Sequence, residues 1–257
     1  MNVVDAVAVT HRGRVRSGNE DTVAVAGFLS TAEQGEPVRV SVSSTRPFTG
    51  LVADGMGGHA EGGRASRLAA RVITDASPAF RDADAIVAAV CAANTAVHAE
   101  AKTVDGWAGM GTTVVVLAVA DGAATCVNVG DSRCYLMRDE NLVQLSTDDA
   151  PPPVGAAPVL KTGVVTQTLG GTADERPVQP HVHRLEVRAG DRFLLCSDGL
   201  TDVVSVDDIE AALNDPTDAV DAVRDLLRRA LDAGGPDNIS ALLVTIPEQP
   251  TDPVPPE

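Results

Sequence analysis

The chain alternates short apolar runs with segments whose apolar residues recur every three or four positions. The runs FTGLVA (48–53), TTVVVLAVA (112–120), AATCVNV (123–129), RCYLMR (133–138), RFLLC (192–196) and SALLVT (240–245) are rich in Val and Leu and bounded by turn residues. Runs of that length and composition predict β-strands. Asp121-Gly122 is a two-residue link between the second and third runs, which is the pattern of a hairpin. Asp139, Glu140 and Asn141 predict a similar turn after RCYLMR, so antiparallel pairing is expected in the middle of the chain. The first strand marked by the pattern follows Asp21, in TVAVAG.

Helical spacing lies between and after these runs. Ala65, Leu68, Ala69, Val72, Ile73 and Ala76 fall on one helix face. A second helix is expected over residues 84–101, with Ile86, Val90, Ala93 and Val97 turned inward. Ser205 and Asp208 have the spacing of a capping box, and a further helix is expected from Asp218 to Asp232, stopped by Gly234-Gly235. Two helices, then strands, then two helices predict helix pairs covering a sheet core. Residues 147–163, TDDAPPPVGAAPVLKTG, break every period and read as a loop. The proline-rich residues 247–257 read as a disordered tail after one domain spanning 1–246.

Composition narrows the picture. Hydrophobic residues make up 44% of the chain but aromatics only 2%, so the core must be built from Val, Leu, Ala and Ile. No apolar run approaches the roughly 20 residues of a membrane span, and no secretory signal opens the chain, so a soluble cytoplasmic protein is expected. The formal net charge of −16 argues against nucleic acid or an anionic membrane as partner. Cys91, Cys126, Cys134 and Cys196 form no CxxC pair and have no His at zinc spacing, so they read as free thiols.

The acids carry the chemistry. Asp54-Gly55 follows one apolar strand and Asp198-Gly199 another; Asp237 lies in GGPDNIS just before the last strand, Asp21 just before the first, and Asp131 after VNVG. Carboxylates at strand ends can converge at one edge of a sheet, where they repel one another unless cations intervene. An oxygen-only donor set suits Mg2+ or Mn2+ better than Zn2+ or Cu2+. A single Asp-Gly after a strand is ordinarily just a turn, and Asp121-Gly122 and Asp105-Gly106 are left in that class. The glycines of residues 54–63 do not form a Walker loop, because no Lys-Ser or Lys-Thr closes the stretch. An EF-hand is excluded by spacing, and Asp82 and Asp84 match an aspartyl-nucleophile DxD only in letters.

Six strings then show a family resemblance: GRVRSGNED (13–21), LVADGMGGH (51–59), GMGTTVVV (109–116), VNVGDSRCYL (127–136), DRFLLCSDGLTD (191–202) and GGPDNISALLV (234–244). In this order they resemble the bacterial PP2C (PPM) metal-dependent serine/threonine protein phosphatases. The resemblance implies an α+β fold, a four-layer α-β-β-α sandwich of two antiparallel sheets flanked by pairs of helices. It implies hydrolysis of phosphoserine and phosphothreonine in phosphoproteins, the products of a Ser/Thr kinase, by a water bridging two Mn2+ or Mg2+ ions, with a third ion in some members. Carried over by motif, Asp54 would bridge two metals and the Gly55 carbonyl would complete one site. Asp198 and Asp237 would hold a metal with Asp54, Asp21 would act largely through water, and Asp131 matches the weaker third site. Arg16 matches the arginine that contacts substrate phosphate and, with Asp54 and Asp198, makes up the expected catalytic group. His59 and Asn238 would support these residues, while Thr112 and Arg133 would brace the strand ends. A monomer is expected. A catalytically weak phosphoprotein-binding member is the alternative, opposed by the presence of all the principal aspartates. Two departures stand out: Gly63 replaces the glutamate common in GGHxxGExAS, and the flap around 147–170 reads as shortened and proline-rich.

Overall fold

The computed structural model describes residues 2–33, 35–44, 46–57, 59–103, 107, 109–151, 164–214 and 218–247. The chain opens with β1 (Asn2–His11), β2 (Thr22–Val25), β3 (Phe28–Ser30), β4 (Val38–Ser44), β5 (Phe48–Ala53) and β6 (Gly55–Met56). Helices α1 (His59–Ala76) and α2 (Ala83–Ala101) follow, joined by a single 3-10 turn. Next come β7 (Gly111–Thr112), β8 (Val114–Ala120), β9 (Ala123–Val129), β10 (Arg133–Arg138) and β11 (Asn141–Gln144). The remaining elements are β12 (Leu169–Gly170), β13 (His181–Glu186), β14 (Arg192–Cys196), α3 (Asp198–Thr201), α4 (Val206–Asn214), α5 (Ala219–Asp232) and β15 (Ile239–Thr245).

The strands build two large sheets, ordered β11-β10-β14-β15-β1-β4 and β13-β9-β8-β5-β2-β3, and a small one, β12-β7-β6. Every pairing is antiparallel. Three apolar clusters hold the layers together. One packs α1 and α2, through Ala69, Ile73, Val90 and Val97, against Leu51, Val116 and Val127 of one large sheet. A second joins the sheets face to face through Val23, Phe48, Val115, Phe193 and Leu242. The third packs α4 and α5, through Ile209, Leu213, Val223 and Leu226, against Leu194 and Leu243 of the other sheet. The result is the α-β-β-α sandwich.

Burial on both faces explains why the central strands read as unbroken apolar runs. In β14, Phe193 and Leu195 point between the sheets while Leu194 and Cys196 face the helices. The hairpin turns follow their residues: Asp121 and Gly122 both take positive φ, as do Asp139 and Glu140, the backbone of a type I′ turn. Asp82 caps α2 by accepting the Ala85 N–H at 2.9 Å, and Ser205 accepts the Asp208 N–H at 3.1 Å ahead of α4. Among the described residues no helix is long and apolar enough to cross a membrane.

The pattern understates the sheets. β1, β4, β11 and β13 were not marked by it, and the run 112–120 is cut at Thr113 into β7 and β8. Helix α1 also begins earlier than its apolar stripe, at His59, and carries Gly62 and Gly63 in its first turns. Of the expected flap, residues 152–163 lie outside the described residues, as do 248–257 of the proline-rich tail.

Candidate metal centre

Each acid owes its place to the end of a strand. The Asp54 carbonyl, at the end of β5, accepts the Thr113 N–H at 2.9 Å and the Thr112 hydroxyl at 2.8 Å. Those bonds use the break between β7 and β8 to turn the chain out of its sheet. The turn needs Gly55: a Cβ there would lie 2.3 Å from the Gly62 carbonyl oxygen and 2.6 Å from that of Glu20. Asp198 opens α3 two residues beyond the end of β14, and a Cβ on Gly199 would lie 1.9 Å from the Asn238 carbonyl oxygen. That close approach brings the Asp198 turn against the loop carrying Asp237. Asn238 locks the arrangement, accepting the Glu20 N–H at 2.8 Å and donating to the carbonyls of Arg12 and Gly18, both at 2.9 Å.

A cleft of about 330 Å3 opens where these loops meet, lined by Arg16, Glu20, Asp54, Gly55, Asp131, Asp198, Asp237 and Asn238 together with Met56, Gly57, Thr113 and Val165. The Arg16 guanidinium donates to Asp237 Oδ2 at 2.6 Å at its rim. The Asp54 carboxyl feels the charges of both Asp21 and Asp198.

Crowding of like charge is written into the protonation of these groups. Burial, then the charges of Asp21, Asp198 and Asp237, hold the Asp54 carboxyl well above the usual carboxylate range. Burial followed by Asp131, Asp202 and Asp237 pushes Asp198 up to about 7. Asp21 is raised to about 6 by burial, against the opposing effect of the Ser240 and Ser197 hydroxyls. Burial also raises Asp131, with Asp148 and Asp202 adding to it.

The donor set fits divalent cations. Asp21 Oδ1 and Asp198 Oδ1 are buried with no hydrogen-bond partner, a costly state for a carboxylate unless a cation faces it. Apart from the Met56 thioether, the side chains on the cleft wall that could ligate offer oxygen, which favours hard cations over zinc or copper. Among the described residues no three acids or histidines converge into a ready-made metal group; the acids line the cleft, and burial with mutual repulsion raises their pKa values, a cost that a divalent cation would offset.

The structure therefore brings Arg16, Asp54, Gly55, Asp131, Asp198, Asp237 and Asn238 together, as their motifs suggested. Asp21 sits behind them. It is fully buried, its Oδ2 accepts Ser240 Oγ at 2.6 Å and Ser197 Oγ at 2.8 Å, and it lies behind the cleft wall rather than on it. The neighbouring Glu20 is on the wall instead. The hydroxyls of Ser197 and Ser240 hold Asp21 inward, and Glu20 takes the side facing the opening. Asp202, passed over in the sequence, sits four residues after Asp198 and adds its charge to both Asp198 and Asp131. The i,i+4 spacing of the acids in DGLTD was the available signal. The side chain of His59 lies outside the described residues. Thr113 and Arg133 brace the surroundings: Thr113 Oγ1 shares a 2.7 Å hydrogen bond with Ser132 Oγ, and Arg133 grips Asp148 through Nε and Nη2.

The architecture is a two-sheet sandwich with helices on both outer faces and a cleft of oxygen donors at the strand ends. The protein phosphatase 2C family matches residues 37–244, and the chain belongs to that family. It is 34% identical to the serine/threonine protein phosphatase PstP of Mycobacterium tuberculosis across 95% of its own length but only 45% of that protein, so it spans about half of that relative. It is 32% identical to the protein phosphatase PhpP of Streptococcus pneumoniae, over 77% of this chain and 86% of that one. A crystal structure of the PstP catalytic domain in complex with two manganese ions superposes with a TM-score of 0.77 at 32% identity, covering 96% of this chain and all of that one.

Proposed function

We propose that the chain is a metal-dependent phosphatase acting on phosphoserine and phosphothreonine of proteins. The observation carrying this reading is the single cleft in which Arg16 meets a group of crowded acids, with Asp198 and the adjoining Asp21 each presenting an unpartnered carboxylate oxygen. Similarity to phosphatases, including one holding two manganese ions, supports it.

Two Mn2+ or Mg2+ ions fit the donors. Asp54 stands between the groups and would be shared; Asp198 and Asp237 would complete one side, and Glu20 with the Gly55 carbonyl the other. Asp131 and Asp202 flank Asp198 and would hold a weaker third ion. Asp21 would act from behind, its orphaned oxygen orienting bound water. When bound, such ions neutralise charge on phosphoryl oxygens and acidify the water that attacks phosphorus near neutral pH.

The chain's own residues do the positioning. Arg16, anchored at the rim by Asp237, presents a planar guanidinium able to hold a phosphate through two parallel hydrogen bonds. Asn238 fixes the spacing between the Arg16 loop and Asp237, so the phosphate and the acids keep one geometry, the principal demand of phosphoryl transfer. No nucleophilic Cys or Ser is required. The buried thiol of Cys196 faces the helix layer, and burial pushes it up to about 12.

The test is hydrolysis of a phosphothreonine peptide with Mn2+, with EDTA, and by Asp54→Asn and Asp198→Asn. Loss of activity in EDTA and a fall of about three orders of magnitude in each variant are expected, an electrostatic loss on the order of 4 kcal/mol. Undiminished turnover in both variants would overturn the metal-centred reading. Binding without turnover by the wild type would favour the phosphoprotein-binding alternative.

A further inference from the structure

A second cavity, of about 490 Å3, adjoins the acidic cleft, and Met56 and Val165 line both. It lies between two sheet edges, β12 of the small sheet and β13 of a large one. Its floor is stitched shut by Gln167, which accepts the Gln179 N–H at 2.6 Å and donates to the Gln179 carbonyl at 3.2 Å.

The two charged groups inside it are in opposite states. Asp149 is fully engaged: Oδ1 meets His181 Nε2 at 2.9 Å, while Oδ2 accepts the Gly130 N–H at 2.8 Å and Gln167 Nε2 at 3.0 Å. Arg176 is not. Its carbonyl accepts from Asn94 at 2.8 Å, but its exposed guanidinium has no ion-pair or hydrogen-bond partner among the described residues. On a chain of net charge −16, where Arg16 and Arg133 near the cleft are each paired with an aspartate, an uncommitted guanidinium in a groove is a site for an incoming anion.

Resting on the phosphatase reading, we infer that this groove binds the polypeptide flanking the phosphoresidue, and that Arg176 selects an acidic side chain there. A substrate chain with its phosphate in the cleft must leave past some part of the rim, and the Met56–Val165 boundary leads directly into the groove. Half of the lining is threonine, glutamine and glycine, which accept an extended backbone without demanding a particular apolar side chain. Specificity then falls to the one unpaired charge. Arg176 does not reach the reacting atoms in this scheme; it is a specificity determinant.

The experiment compares Mn2+-loaded wild type with Arg176→Glu on paired phosphothreonine peptides carrying Glu or Lys at successive positions on either side of the phosphoresidue, with p-nitrophenyl phosphate as a small ester. Wild type is expected to favour the Glu peptide at one position by roughly fivefold in kcat/KM, as expected of a single partly exposed charge pair, mainly through KM. Arg176→Glu should reverse that preference and leave the small ester unchanged. Direct titration of the dye-labelled peptides onto the chain should show the same reversal without turnover. An unchanged Glu-to-Lys ratio in a variant that still hydrolyses the small ester overturns the inference and leaves the phosphatase reading standing. A wild type that hydrolyses neither peptide nor ester overturns both.

Discussion

Strand β14 carries an aspartate at each end, one buried and one half-buried, and the two live in opposite electrostatic worlds. Asp191, just before the strand, is 1% exposed. It accepts Arg138 Nε and Nη2, each at 2.7 Å, and the Arg188 N–H at 2.7 Å. Asp198, just after the strand, has an unpartnered buried oxygen and is surrounded by Asp131, Asp202 and Asp237. Residue type and local sequence, LLC flanked by Asp, scarcely distinguish them. One end is closed by an arginine that travels with the fold; the other is left with an orphaned oxygen among like charges. On the proposed reading, stability is invested at one end of the strand and a cation completes the other.

Substitution at both ends should separate those roles. Asp198→Asn, the variant with the largest functional loss, is expected to melt in EDTA at or above the wild-type temperature, because it removes a charge from a repelling group. Asp191→Ala should do the reverse. Stranding Arg138, itself partly solvated, is expected to cost about 3 kcal/mol, or roughly 6–12 °C in melting temperature for a domain of this size, with the Mn2+-supported turnover of the folded fraction retained. Thermal melts of the two variants in EDTA decide the matter: if Asp198→Asn is destabilised as much as Asp191→Ala, the contrast between the two ends is wrong.

The pH dependence sharpens the same contrast. Asp198 and Asp21 are raised to about 7 and about 6 in the fold, above the roughly 3.9 of an unfolded aspartate. Between these values the native state binds more protons than the unfolded chain, so without metal its stability falls as pH rises from about 4 towards 7. Cations bind the ionised carboxylates, so their stabilising effect grows over that same interval. Melting temperature against pH should slope downward in EDTA and flatten or turn upward with Mn2+. Asp198→Asn should shallow the EDTA slope, whereas a slope identical to wild type would show that the acids near β14 are not its source.

These particulars also show what could be read from letters alone. The double-buried strands were legible because both faces are apolar, as in RFLLC. The N-terminal strand β1 was not, because Asp5 interrupts VVDAVAV; in the fold its carboxylate accepts the Ser41 hydroxyl of neighbouring β4. β13 was missed for a different reason: HVHRLE is an edge strand with most of its side chains in solvent, so no apolar run announces it. In the cleft, Asp54, Asp198 and Asp237 were legible because each is punctuated by a strand end. The choice between Glu20 and Asp21 was not, since it depends on hydroxyls contributed from residues 197 and 240, distant in sequence.

The smallest expected effects come from two adjacent glycines at the start of α1. A Cβ on Gly62 would lie 2.1 Å from Glu20 Oε2, and 2.8 and 2.9 Å from the backbone of Gly55 and Met56. The loop holding Asp54 would have to shift, so Gly62→Ala should reduce both stability and turnover. Gly63, which stands where the family commonly has glutamate, meets only the Arg67 guanidinium, at 3.1 and 3.6 Å, and the Glu20 Cα at 3.6 Å. Arg67 is exposed and flexible, so it can yield, and replacing a helical glycine by alanine gains about 0.5–1 kcal/mol. Gly63→Ala is accordingly expected to raise the melting temperature by roughly 1–4 °C with turnover unchanged. A side chain at position 63 would point beside Arg67, whereas one at position 62 would meet Glu20 on the cleft wall. A Gly63→Ala variant that loses Mn2+-dependent turnover would move that boundary and place Gly63 among the residues shaping the metal centre.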